Sequence, residues 1–107
     1  MRLALPVFFL SLLLQTGCAS PTLPLPPPAA LTASPPDPAT GLVTVTGLAQ
    51  PEAWVYCINL DTDRGVIQRA LLDGSFQIEI AAASGHYLSL FQETGIDRGS
   101  PMEIRVP

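Results

Sequence analysis

Lysine is absent from this 107-residue chain, histidine occurs once, cysteine twice, and only 13% of the residues are charged. Each scarcity excludes something. The five basic residues are all arginine (Arg2, Arg64, Arg69, Arg98 and Arg105); they form no run, and the net charge is −4. Nucleic-acid binding rests on neutralising phosphates, so no nucleic-acid partner is expected, and an anionic membrane surface would not attract the chain either. One histidine and two thiols fall short of the four ligands of a structural zinc site, and neither metal nor cofactor is expected. The apolar run "LALPVFFLSLLL" (3–14) is shorter than the ~20 residues of a spanning helix and is interrupted by Pro6.

What is present is unevenly spread. Arg2, the apolar run and the small residues of "QTGCAS" (15–20) follow the order of a secretory signal peptide over 1–17. Cys18 then lies at a junction, because "PTLPLPPPAALTASPPDPAT" (21–40) carries eight of the twelve prolines. Proline fixes φ and removes the amide donor, so 18–40 is expected to be a linker in extended polyproline II form. At ~3.1 Å per residue its proline-rich part would reach about 60 Å. A ligand for a proline-binding domain is a rival for "PLPPP" (24–28).

The junction resembles the lipobox of bacterial lipoproteins. Thr16, Gly17, Cys18, Ala19 and Ser20 fit that pattern, whereas Gln15 stands where the family has leucine and Leu14 is displaced by one. The resemblance implies that Cys18 becomes the mature N-terminus, carrying a diacylglyceryl thioether and an amide-linked acyl chain such as palmitate. It implies an exported protein anchored in a membrane, and Ala19 resembles the residue of lipoproteins sent to an outer membrane, facing the periplasm or the surface. An ordinary signal peptide remains the alternative: cleavage after Ala19 would release a soluble secreted chain.

From about residue 41 to 107 the pattern becomes one of short alternating runs between turn residues. Strands are expected over 42–47, 53–59, 65–72, 75–80, 86–92 and 102–106, with a tight hairpin at Asp73-Gly74. The alternation turns Val55, Cys57, Phe76, Ile78, Ile80, Leu88, Leu90, Ile104 and Val106 inward. Trp54, Tyr56 and Ile58 face the other way, joined by Tyr87 and Phe91. Regular strand spacing without helical periodicity predicts an all-β chain, one small β-sandwich of six or seven strands, prealbumin-like or immunoglobulin-like. "DGSFQI" (73–78) and "GHYLSL" (85–90) resemble carboxypeptidase regulatory-like domains and small bacterial immunoglobulin-like domains. There an Asp-Gly turn precedes an inward aromatic and a Gly-x-Tyr opens the next strand. Such domains are accessory and carry no catalytic residue.

Cys57 is expected to be buried and inert. "NLDTDRG" (59–65) has oxygen-bearing side chains at 59, 61 and 63, but Arg64 and Ala70 fall where a calcium loop needs glycine and glutamate, so an Asp-stabilised turn is expected. His86, with Ser75, Ser84 and Ser89 available, has neither nucleophile elbow nor oriented base, and no catalytic residue is expected. The outward aromatics Trp54, Tyr56 and Phe91 form the candidate binding face. The reading that follows is a non-catalytic envelope lipoprotein presenting an interaction or structural module, its partner an envelope protein or a glycan. Carbohydrate recognition by the aromatic face, or an accessory or inhibitory role toward a secreted hydrolase, are the alternatives.

Overall fold

The computed structural model describes residues 25–95 and 97–107. Eight strands form two antiparallel sheets: β1 Ala29–Ala33, β2 Leu42–Leu48, β3 Trp54–Asn59, β4 Arg64–Arg69, β5 Ser75–Ala81, β6 Tyr87–Thr94, β7 Asp97–Arg98 and β8 Met102–Arg105. The first sheet has the order β1-β2-β5; the second runs β4-β3-β6-β7, with β8 also paired to β6. The described residues therefore form an all-β sandwich, with β1 and β7 additional to the expected strands.

Alternation decides which face of each strand is covered. Val43 and Val45 of β2, Val55 and Cys57 of β3, Phe76, Ile78 and Ile80 of β5, and Leu88 and Leu90 of β6 pack together with Ala70 and Val106. The inward assignments hold, except that Ile104 is only partly buried at the rim of this cluster. The core is thin and almost wholly aliphatic. Gly47 makes room for its single phenyl ring: a Cβ there would stand 2.7 Å from Phe76 Cζ and 2.8 Å from Leu31 Cδ2. The Asp73-Gly74 turn forms as expected, with the Gly74 amide donating to Leu71 O at 2.9 Å. The strands it joins lie in different sheets, however, so it is the corner between them and not a hairpin within one. Gly74 is required there, since its φ is +89° and a Cβ would collide with the Ala49 carbonyl oxygen.

The expectation of a free linker over 18–40 is corrected for its described part, 25–40. "AALTA" is the one proline-free run of that stretch, and it pairs antiparallel with β2, with a bulge between Ala29 and Thr32. Pro28 is fully buried. Prolines cannot donate to a ladder but their carbonyls accept, and Pro26 O receives a 2.9 Å hydrogen bond from Gln92 Nε2. Ser100 N donates to Leu25 O at 3.3 Å, so this segment covers the outer edge of the second sheet, which would otherwise present unpaired groups. Residues 35–41 make the β1–β2 turn. Asp37 Oδ1 accepts from Ala39 N at 2.8 Å, and the Gly41 amide donates to Asp37 O at 2.7 Å. Cys18, Gln15 and the rest of 1–24 lie outside the described residues.

Candidate functional site

Strand pairing builds the outward face of the five-stranded sheet. Register sets Tyr56 of β3 opposite Phe91 of β6 and, on its other side, Ile67 of β4; Trp54 lies opposite Arg69 and Glu93. The Tyr56 and Phe91 rings stack with centroids 4.6 Å apart and planes 7° from parallel. The Arg98 guanidinium covers Phe91 at 5.1 Å, and that of Arg69 covers Trp54 at 5.5 Å. Glu93 ties the assembly together. Its Oε1 accepts from the Tyr56 hydroxyl at 3.1 Å, and its Oε2 accepts from Arg98 Nε at 3.2 Å. The Tyr56–Glu93 hydrogen bond, together with reduced hydration, holds the Tyr56 phenol above its ordinary pKa.

The three aromatic residues of the candidate face, Trp54, Tyr56 and Phe91, therefore lie together on the outward sheet face, while Ile67, Arg69, Glu93 and Arg98 extend it. These four were not legible beforehand, because neighbours across a sheet are set by register and not by sequence distance. The arrangement has a chemical consequence. A sugar ring stacks on a free aromatic face, whereas here Tyr56 and Phe91 turn one face to each other, and guanidinium groups lie over Phe91 and Trp54. Arginine and aromatic side chains mixed on one surface are the composition of protein-interface hot spots.

The opposite edge of the sandwich carries a polar knot. Asn59 is completely buried yet satisfied: Nδ2 donates to Ala81 O and to His86 Nδ1, both at 3.1 Å, and Oδ1 accepts from Asp61 N at 2.9 Å. Ala83 N also donates to His86 Nδ1, at 3.1 Å, so that nitrogen is an acceptor and the ring proton sits on Nε2. Asp61 Oδ2 accepts from Tyr87 N at 2.9 Å. The 59–65 loop is thus an Asx-stabilised turn, as expected, with Asp63 at φ 61°. His86 belongs to this turn network. Among the described residues no group of three or more His, Cys, Asp or Glu side chains is arranged to hold a metal ion.

Cys57 has no exposed surface, and burial pushes its thiol pKa up to about 12. It is a core residue, not a reactive one. Among the described residues no helix is long and apolar enough to cross a membrane. No protein-family model matches the chain, and no curated protein is significantly similar to it.

Proposed function

We propose that this chain is a non-catalytic envelope lipoprotein, anchored through acyl chains on Cys18 in an outer membrane, whose sandwich offers the Trp54–Tyr56–Phe91 face to an envelope protein. The observation that carries the choice of partner is the arginine-covered aromatic ladder. Each of its three rings already has an internal partner over a face, which favours a protein surface over a glycan, and Ile67 is more than half exposed beside it. The anchor rests on the lipobox-like residues 14–20. A secreted hydrolase as the partner would make the chain its accessory subunit; a soluble form cleaved after Ala19 is the other reading.

Intact mass of the membrane-extracted protein tests the anchor: an N-terminal Cys18 bearing diacylglyceryl is expected, and an unmodified chain beginning at Ser20 would refute it. A photo-crosslinking residue at position 67, used in living cells, tests the face. A discrete protein adduct that disappears with Arg98→Ala and Phe91→Ser is expected. Retention on a polysaccharide matrix that depends on the same residues would transfer the face to carbohydrate.

A further inference from the structure

The two ends of the sandwich differ sharply. At one end stand the β1–β2 and β3–β4 turns, with Asp37, Asp61, Asp63 and Arg64 exposed. At the other, the segments joining β2 to β3 and β4 to β5 bring exposed leucines together. Leu48 is 50%, Leu71 64% and Leu72 79% exposed, and Trp54, at 45%, borders them. This clustering is held in place by the backbone: Ala49 N donates to Gly74 O at 2.8 Å and Glu52 N to Leu71 O at 3.2 Å. Leu48 and Leu71 line one open groove with Phe76 and Arg69.

Charges at the leucine end are mostly paired, Glu52 with Arg69 and Glu93 with Arg98. The Asp73 carboxylate is turned back on Ser75, accepting from its amide at 2.9 Å and its hydroxyl at 2.7 Å. The remaining exposed carboxylates, Asp73 and Asp97, sit at its edge, and among the described residues no unpaired arginine at this end would draw it specifically to an anionic surface.

The length of chain before Leu25 says what covers this end. Leu25 is fixed to the sheet edge at Ser100, beside Gly99, whose amide donates to Gln92 O at 2.8 Å. Along the strand direction that point is two or three residues, roughly 7–10 Å at ~3.3 Å of rise per residue, from the Trp54–Glu93 end of the second sheet. Six residues, 19–24, lie between Leu25 and Cys18, and the seven steps from one to the other span at most about 24 Å. A domain held by acyl chains on Cys18 is therefore within contact distance of the bilayer and not suspended 60 Å above it.

From this we infer that the leucine end, Leu48, Leu71 and Leu72 with Trp54 beside them, rests on the lipid bilayer. The leucines enter the acyl boundary and the indole lies at headgroup level, as amphipathic aromatic rings do. The inference rests on the anchored reading of Cys18. It leaves the remainder of the aromatic face, Tyr56, Ile67 and Phe91, directed to the aqueous side.

Trp54 is the only tryptophan, so its fluorescence reports the contact without labelling. The mature protein, extracted from membranes and verified by intact mass, is reconstituted into phosphatidylcholine vesicles whose acyl chains are brominated near the headgroup. Emission is expected to fall at least twofold relative to unbrominated vesicles. The Leu71→Asp/Leu72→Asp variant, altered at two exposed positions and checked for an unchanged melt, is expected to float with the vesicles but to lose the quenching. Unquenched Trp54 in vesicle-bound, acylated protein overturns the docking while leaving the anchor intact. Quenching that survives in the double variant overturns it as well. So does an emission shift that depends on protein concentration and not on bromine, which would mean a second copy covers this end. An unmodified mass removes the anchor, and the docking falls with it.

Discussion

Gln92 Nε2 donates to the carbonyl oxygen of Pro26 at 2.9 Å across 66 residues of chain, while its Oε1 accepts from Gln50 N at 2.7 Å. One buried amide thus fastens the N-terminal segment to the second sheet and the β2–β3 connection to β6. Gln92→Ala leaves a buried amide and a carbonyl without partners, and is expected to cost about 2–4 kcal/mol. Urea melts measure the loss. Limited proteolysis should show cleavage around 25–34 at a protease level that spares the parent protein.

Asn59 is the corresponding device at the other end. Asn59→Ala removes three hydrogen bonds made by a fully buried side chain, leaving Ala81 O and Asp61 N without them at its part-buried rim, and should cost about 2–3 kcal/mol. His86→Ala leaves Asn59 its bond to Ala81 and should cost only about 1 kcal/mol. The ordering is the test: equal losses would mean that the histidine, and not the asparagine, organises the turn.

The Gln50–Ala53 turn has proline in second place and Glu52 at φ 61° in third, a position where type II turns favour glycine. Glu52→Gly should raise stability by about 0.5–1 kcal/mol, the relief of left-handed strain exceeding glycine's own entropic cost. The exposed Glu52–Arg69 pair that is lost contributes little. A thermal melt rising by a few degrees is the expected result.

Cys57 makes stability depend on alkaline pH. The unfolded thiol ionises near its ordinary 9.0, the folded one at about 12. Below pH 9 both states keep the proton and the contribution of burial is complete. Between pH 9 and 12 only the folded state keeps it, so stability falls as pH rises, by at most about 1.4 kcal/mol per pH unit. A denaturant series from pH 8 to 10.5 should register a loss of about 2 kcal/mol that Cys57→Ala does not show. Tyr56, also raised, acts in the same sense and is common to both proteins.

The sandwich itself could be read from the sequence because period-two alternation is local. Val55, Cys57, Phe76, Ile78, Ile80, Leu88, Leu90 and Val106 declare their side of the sheet through their immediate neighbours. β1 escaped notice because proline density marks 21–40 as unable to pair, yet the proline-free "AALTA" inside it needs only five residues to do so. β7, two residues long, leaves no periodic trace. Asn59 and Gln92 sit on inward positions of otherwise apolar strands, and only partners distant in sequence make polar side chains tolerable there. The aromatic face showed its outward residues in advance, whereas its arginine cover depends on which strands become neighbours.

The fastening of Pro26 by Gln92 also orders events in time. Synthesis proceeds from the N-terminal side, but the groups that hold Leu25 and Pro26 lie at positions 92 and 100, far behind them in the chain. β1 can pair with β2 as soon as residue 48 has emerged, yet the residues just before it stay loose until the closing strands arrive. Leu25 and Pro26 therefore appear early and are secured late.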